Sequence, residues 1–206
     1  IVLPARHFSD LVRKLPNTKI TITYLSDILG VSIEYNEAQV HLKGWPGEEF
    51  PKIPDLEGNF QLELHTSLLK NMIKQTLFAT SADENRPIFT GVLFEINDNQ
   101  LSMVSTDTHR LVLRIGKINN NTERNLNLII PGKTLSEVHR IMKDDEDSIK
   151  ITGNNNQIAF QTQDTRIISR IIEGKFPDYN QVIPTSYKTL IKVKTKDFQE
   201  TIERAN

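Results

Sequence analysis

Residues 3–13 read LPARHFSDLVR, and residues 130–140 read IPGKTLSEVHR, so one pattern occurs twice in the chain. Phe50-Pro51 likewise recurs as Phe176-Pro177, at nearly the same separation of about 127 residues. A third set returns with its apolar spacing kept: Leu62, Leu64, Thr66, Leu69 and Ile73 recur as Ile191, Val193, Thr195, Phe198 and Ile202. Such repeats indicate modules that fold alike and bury the same face. The chain is therefore expected to hold the later part of one module, a complete second module and the start of a third.

The complete module is itself built from two similar halves. Alternating apolar and polar residues at 60–64 predict a strand, and apolar residues at helical spacing over 67–78 predict a helix. Three more strands are predicted at 88–96, 101–105 and 110–115. The same order then repeats as a strand at 126–130, a helix at 133–142, and strands at 149–152, 157–161 and 166–172. Two such halves predict an α+β fold of repeated pseudo-twofold modules, each with two helices packed against antiparallel sheets.

The incomplete first module matches the second half of this plan. A helix is predicted at 6–14, followed by strands at 19–24, 31–34 and 39–43. Two connectors that contain proline, 45–59 and 174–188, separate the modules. Proline suits a connector because it fixes the backbone direction without needing a ladder hydrogen bond. The third module is expected to begin near Thr189.

The composition, with 37 % hydrophobic and 25 % charged residues, is typical of a soluble globular protein. The absence of cysteine excludes disulfide bonds, thiolate metal sites and thiol catalysis. No apolar run approaches the length of a membrane span. The acidic run Asp144-Asp145-Glu146-Asp147 is interpreted as a solvated turn and not as a metal site, because no companion cluster with ligand spacing accompanies it.

The predicted helices concentrate positive charge in a chain whose net charge is only -1. The stretch from His65 to Phe78, for example, contains Lys70 and Lys74 but no acid. If equivalent helices share one side of the protein, they form a basic surface suited to phosphate contacts that do not read bases. Lysine and arginine also cover exposed helix faces in proteins that bind no nucleic acid, so this alternative stays open.

A second cluster lies between two predicted strands, where Thr106-Asp107-Thr108-His109-Arg110-Leu111 brings together an acid, a histidine and an arginine. One alternative is a small-molecule-binding or hydrolytic β-rich enzyme that uses Asp107, His109 and Arg110. No nucleophile motif and no glycine-rich phosphate loop accompany the cluster, however. A histidine in a tight β connection more often satisfies backbone groups. A purely structural repeat protein, with no affinity for peptides, is a further alternative.

Three stretches closely resemble the family of the bacterial DNA polymerase III beta subunit, the sliding clamps. They are RPIFTGVLFE at 86–95, TDTHRL at 106–111, and FPDY at 176–179 with Val182 and Pro184 after it. The resemblance extends over essentially the whole chain, in order and with the spacing of the family. It implies three like-folded domains in each subunit. Residues 1–58 are then the C-terminal half of the first clamp domain, 59–184 the complete middle domain and 185–206 the start of the third.

Membership of this family implies a non-catalytic processivity factor in the bacterial cytoplasm. Clamps form a head-to-tail homodimeric ring around double-stranded DNA and slide on it without reading its sequence. Short peptides from the DNA polymerase III alpha subunit, the clamp loader, repair polymerases and ligase-type factors dock on the middle domain. The resemblance implies no catalytic residue, no metal, no cofactor and no membrane association.

The resemblance also implies a role for individual residues. The helices of the family line the hole, and the loop from Ser81 to Arg86 lies near the DNA at one rim. DNA contacts are therefore expected at Arg6, Arg13, Lys70, Lys74, Arg86, Lys133 and Arg140. The groove for partner peptides corresponds to Phe89, Thr106, Thr108, His109, Arg110, Leu111, Pro177, Gln181 and Val182.

Two further points concern the groove and the ring. Many members of the family have glycine where this chain has Thr108, and a basic residue where it has Gln181. Val40 and Leu42 lie on the edge strand that the resemblance assigns to the interface with the other subunit. Family members complete the groove and the ring with later residues of the third domain, so these 206 residues alone are expected not to close a ring.

Overall fold

A computed structural model of the chain describes residues 1–52, 56, 58–119, 125–143 and 148–205. The acidic run at 144–147 lies outside the described residues. The chain divides into two compact units, Ile1–Asp55 and Leu56–Asn206. Among the described residues, no helix combines the length and the apolar character needed to cross a bilayer.

The first unit contains one helix and one antiparallel sheet. Its elements are α1 at Ala5–Val12, β1 at Ile20–Leu25, β2 at Gly30–Tyr35 and β3 at Ala38–Lys43. The strands pair in the order β1-β2-β3, with Ile33 of β2 opposite Ile22 on one side and Val40 on the other. Ile33 is fully buried, and it lies on the central strand, which has a neighbouring strand on each side.

The second unit contains two halves with the same order of elements, as predicted. The first half is β4 at Phe60–His65, α2 at Thr66–Thr76, β5 at Gly91–Asn97, β6 at Gln100–Thr106 and β7 at Leu111–Lys117. The second half is β8 at Leu126–Pro131, α3 at Gly132–Ile141, β9 at Ser148–Gly153, β10 at Gln157–Gln161 and β11 at Arg166–Arg170. A last helix, α4, spans Thr195–Ala205.

The two halves exchange their first strands. One sheet has the order β7-β6-β5-β8 and the other β11-β10-β9-β4, so each takes three strands from one half and one from the other. The alternate burial along β4 places Leu62 and Leu64 in the core and their neighbours in solvent. Both sheets and both helices, α2 and α3, contribute to one hydrophobic core. This arrangement confirms the predicted α+β fold with two helices packed against antiparallel sheets.

Two predicted strands differ from the structure. The strand expected at 88–96 begins only at Gly91, because Pro87–Thr90 form a 3-10 turn. Pro87 opens that turn, since it lacks the N–H that a ladder requires and has a φ suited to the first helical position. The strand expected after Thr189 is absent, although α4 follows where the repeat predicts a helix. A strand needs a ladder partner, and no described strand pairs with residues 189–194 as β9 pairs with β4.

Candidate functional site

The turn between β6 and β7 is built around the carboxylate of Asp107. Its Oδ1 accepts hydrogen bonds from the backbone N–H groups of His109 and Arg110, both at 3.0 Å. Its Oδ2 accepts a 3.0 Å hydrogen bond from Nε of Arg110. The backbone N–H groups of Arg110 and His109 hold the pKa of the Asp107 carboxyl below its usual value. Asp107 is thus an ionised structural acceptor, which does not suit the acid–base role of the enzyme alternative.

The same turn forces Thr108 into an unusual backbone conformation. Its φ is +78°, in the left-handed region that β-branched residues rarely adopt. The Thr106 hydroxyl helps to hold this shape: it accepts a 3.1 Å hydrogen bond from the Thr108 N–H and donates one of 2.7 Å to the Arg110 carbonyl. Strain at such a position costs on the order of 1–3 kcal/mol. Glycine at this position would avoid the strain, since glycine has no Cβ.

Arg110 also connects the turn to the end of α2. Its Nη2 donates a 2.9 Å hydrogen bond to the carbonyl of Phe78, and its guanidinium lies over the Phe78 ring at 5.5 Å from the centroid. The turn is therefore held both by its own hydrogen bonds and by the neighbouring helix. A preformed surface of this kind loses little conformational entropy when a ligand binds.

The segment 172–182, called the strap below, lies opposite this turn. It packs on the face of the β7-β6-β5-β8 sheet that is remote from the helices. The Ile172 N–H donates to the carbonyl of Ile129 on β8 at 2.8 Å, and Phe176 is only 8 % exposed. Phe176 belongs to a second, smaller hydrophobic cluster with Leu93, Val104 and Ile129. The linker predicted at 174–188 is thus in part a packed wall of this unit.

A pocket of about 460 Å³ lies between the turn and the strap. Eight of the nine residues expected to bind peptide line it: Phe89, Thr106, Thr108, His109, Arg110, Leu111, Pro177 and Val182. Gln181 does not line it, because its amide donates a 3.0 Å hydrogen bond to Oδ2 of Asp178 within the strap. Phe176, Asp178 and Tyr179 line the pocket as well, although no site role was predicted for them. The FPDY run in which they lie was the only sequence signal for them.

The pocket combines an apolar floor with a polar rim. The rings of Phe89 and Phe176 meet edge to face, with centroids 6.3 Å apart, and Leu111 lies in the same small cluster. His109, Arg110 and the two threonines supply hydrogen-bonding groups around this floor. A pocket of this size and lining suits apolar side chains presented by an extended peptide. Among the described residues, no group of three or more His, Asp or Glu side chains could hold a metal ion.

The basic residues predicted on the helices of the second unit differ in their partners. Lys70 Nζ donates a 3.1 Å hydrogen bond to the Met142 carbonyl at the end of α3, so it also joins the two helices. Lys133 pairs with Glu84 at 3.3 Å, and Arg140 pairs with Glu137 one turn away on the same helix. Exposed pairs like these contribute little stability.

Two other residues complete this group. Lys74 is exposed on α2 and has no ion-pair partner among the described residues. Arg86 lies elsewhere: it pairs with Asp83 at 2.9 Å, and its guanidinium lies 5.8 Å from the centroid of the Phe89 ring, at the margin of the pocket. Lys74 is therefore the most available cation of the set, whereas Arg86 is held beside the pocket.

In the first unit, Arg6 is exposed on α1 and Arg13 directly follows this helix. Val40 and Leu42 are half-buried on β3, which within the described residues pairs with β2 alone. Among the described residues, β3 is thus an edge strand with one side that has no ladder partner.

Comparison with known proteins gives a consistent result. A family model described as "DNA polymerase III beta subunit, central domain" matches residues 63–178. The beta sliding clamp of Bacillus subtilis (strain 168) is 38 % identical over 206 residues, which cover 100 % of this chain and 54 % of that protein. The beta sliding clamp of Staphylococcus epidermidis is 35 % identical with the same coverage. The chain spans about half the length of the curated relatives it matches.

Solved structures agree with these sequence matches. The DNA polymerase sliding clamp of Bacillus subtilis superposes with a TM-score of 0.90 at 37 % identity, over 98 % of this chain and 53 % of that one. A sliding clamp of Pseudomonas aeruginosa bound to griselimycin gives a TM-score of 0.87 at 26 % identity, over 98 % of this chain and 55 % of that one.

Proposed function

Because this chain belongs to the DNA polymerase III beta subunit family, the sliding clamps, we propose that it is part of a ring subunit that encircles duplex DNA. The subunit has no active site of its own and acts as a processivity factor in the bacterial cytoplasm. Residues 1–58 form the later half of its first domain, 59–184 its middle domain and 185–206 the start of its third.

The observation that carries the docking role is the pocket between the turn and the strap. One cavity of about 460 Å³ is surrounded by residues that are far apart in the chain: Phe89, the turn at 106–111 and the strap segment 176–182. Its apolar floor and polar rim fit a short peptide from a polymerase III alpha subunit, a clamp loader, a repair polymerase or a ligase-type factor. Griselimycin, which is bound to the clamp from Pseudomonas aeruginosa, is a further candidate ligand.

The charge on α2 and α3 supports the DNA-facing role. These helices pack together, and they carry four cations: Lys74, Lys133 and Arg140 are exposed, and Lys70 lies at the helix junction. Contacts between such cations and phosphates release counterions and carry no sequence information, as sliding requires. The ring itself is a head-to-tail homodimer in which the free edge of β3, with Val40 and Leu42, pairs with a second subunit.

A fluorescein-labelled clamp-binding peptide from a bacterial replicative polymerase tests the docking role directly. We expect the chain to bind this peptide and griselimycin to compete with it, and we expect Leu111→Ala to weaken binding about tenfold, because this side chain forms part of the apolar floor. The measurement is fluorescence anisotropy, with Leu190→Ala as a control, since Leu190 is an exposed leucine outside the pocket. Absence of peptide binding by the complete subunit, with its third domain, would contradict the docking role.

The DNA-facing role is tested by the salt dependence of binding to a short duplex. Lys74→Glu is expected to reduce the magnitude of the slope of log K against log [salt] by about 1, because one phosphate contact is lost. Lys150→Glu is the matched control: Lys150 is exposed on β9, between the core residues Ile149 and Ile151, and so points away from the helices. An equal effect of the two substitutions would show that α2 does not form the DNA-facing surface.

A further inference from the structure

The strap has a cavity on each side. Behind it, a cavity of about 300 Å³ is lined by Leu93 and Glu95 of β5, by Asn127 and Ile129 of β8, and by residues 174–180 of the strap itself. Phe176, Pro177, Asp178 and Tyr179 line this cavity and the peptide pocket in front. The middle of the strap therefore separates the two cavities, while its Phe176 and Tyr179 side chains also pack on the small hydrophobic cluster of the sheet.

The strap is attached to the sheet at few points. Phe176 anchors the first part of the strap in the small hydrophobic cluster. Gly174, with a φ of +136°, bends the strap just before this anchor. Among the described residues, the Asp178 carboxylate accepts hydrogen bonds only from Asn180 and Gln181, both within the strap. Within the described residues, a single side-chain hydrogen bond joins the strap to the sheet: Tyr179 Oη donates to Glu95 Oε2 at 2.6 Å.

This hydrogen bond is strong for its kind. A phenol that donates to a carboxylate forms a short, charge-assisted bond, and 2.6 Å lies within the range for such pairs. Burial and the neighbouring Glu95 raise the pKa of Tyr179 to about 12. The ring of Tyr179 lines the peptide pocket, whereas Glu95 lines only the cavity behind it.

We propose that Glu95 is a positioning residue for peptide docking: through its hydrogen bond to Tyr179 it holds the strap at the distance from the turn that the peptide requires. Glu95 does not line the pocket and acts only through Tyr179 of the strap. This inference rests on the docking function proposed above. It assigns a role in peptide binding to Glu95, although Glu95 is not one of the residues that line the pocket.

The test compares four variants and one control variant by the affinity of the labelled polymerase peptide and by thermal stability. Tyr179→Phe keeps the ring and removes only the hydroxyl, and it is expected to weaken peptide binding about fivefold. Glu95→Ala is expected to do the same, and the double variant to be no weaker than either single one, because all three lose one bond. Glu95→Gln keeps an acceptor and is expected to restore most of the affinity. Asn127→Ala, which alters the same rear cavity without touching the bond, is the control.

Each result decides between distinct conclusions. Unchanged affinity in Tyr179→Phe, or strictly additive losses in the double variant, would overturn the positioning role. Glu95→Gln binding the peptide more weakly than Glu95→Ala would overturn it too, because the acceptor that Gln retains would then not help to hold the strap. If Glu95→Ala does not fold, Tyr179→Phe and Glu95→Gln still decide the matter. If the complete subunit without substitutions binds no peptide, the docking function fails and not merely the role of Glu95.

Discussion

Phe176→Ala is expected to lower the free energy of unfolding of the second unit by about 3 kcal/mol, the largest loss of stability among the changes considered. Phe176 is only 8 % exposed and packs against Leu93, Val104 and Ile129. Truncation removes its buried apolar surface and leaves a void, which joins the spaces already present on both sides of the strap. The cost lies at the lower end of the range for aromatic truncations because the cluster is small and one side of it can collapse.

Urea denaturation followed by far-UV circular dichroism measures this loss. Phe198→Ala is a suitable control, since Phe198 is 55 % exposed on α4 and its truncation should change stability little. Phe176→Leu should recover most of the stability, because it keeps most of the apolar volume. A loss below about 1 kcal/mol for Phe176→Ala would mean that the strap does not depend on this anchor.

Phe89→Ala is expected to weaken binding of the labelled polymerase peptide by about 30-fold, the largest effect on affinity. Phe89 presents the largest apolar side chain on the turn side of the pocket. It also meets the Phe176 ring edge to face and lies under the Arg86 guanidinium. Truncation therefore removes both a direct contact for the peptide and a support for the opposite wall. Aromatic residues with such packing are typical hot spots of interfaces.

Isothermal titration calorimetry with the peptide gives this affinity and the heat of binding together. Phe50→Ala serves as the control, since Phe50 is an exposed phenylalanine of the first unit. The stability of Phe89→Ala should fall far less than that of Phe176→Ala, because Phe89 is only half-buried. An affinity within about threefold of the unmodified chain would place the peptide elsewhere.

The elements of the fold could be predicted because their signals are local. The alternation at Phe60–His65 and the helical spacing on α2 and α3 each lie within about a dozen residues. The repeat added the order of the halves. The exchange of β4 and β8 between the sheets could not be predicted, since it depends on which strand pairs with which across the module. The strand predicted at 189–194 is absent for a related reason: a local β pattern forms a strand only where another strand is available for hydrogen bonding.

The site divides in a similar way. Eight pocket residues could be placed from the resemblance of short motifs, and the structure brings them together. The roles of Phe176 and Tyr179 could not be predicted from these motifs, because they depend on contacts with β5 and β8, which are far away in the chain. The +78° φ of Thr108 likewise follows from hydrogen bonds that close only when β6 and β7 are paired.

The sequence by itself determined the repeat, the order of helices and strands, the basic character of the helices and the residues at which to look for a pocket. These properties follow from periodicity, composition and motifs, which are local to the chain. Only the tertiary structure decided that the turn at 106–111 faces the strap, that Gln181 turns back to Asp178 and that Tyr179 reaches Glu95. Those contacts join residues from separate strands and connectors, and they exist only once the sheet has set the distances between them.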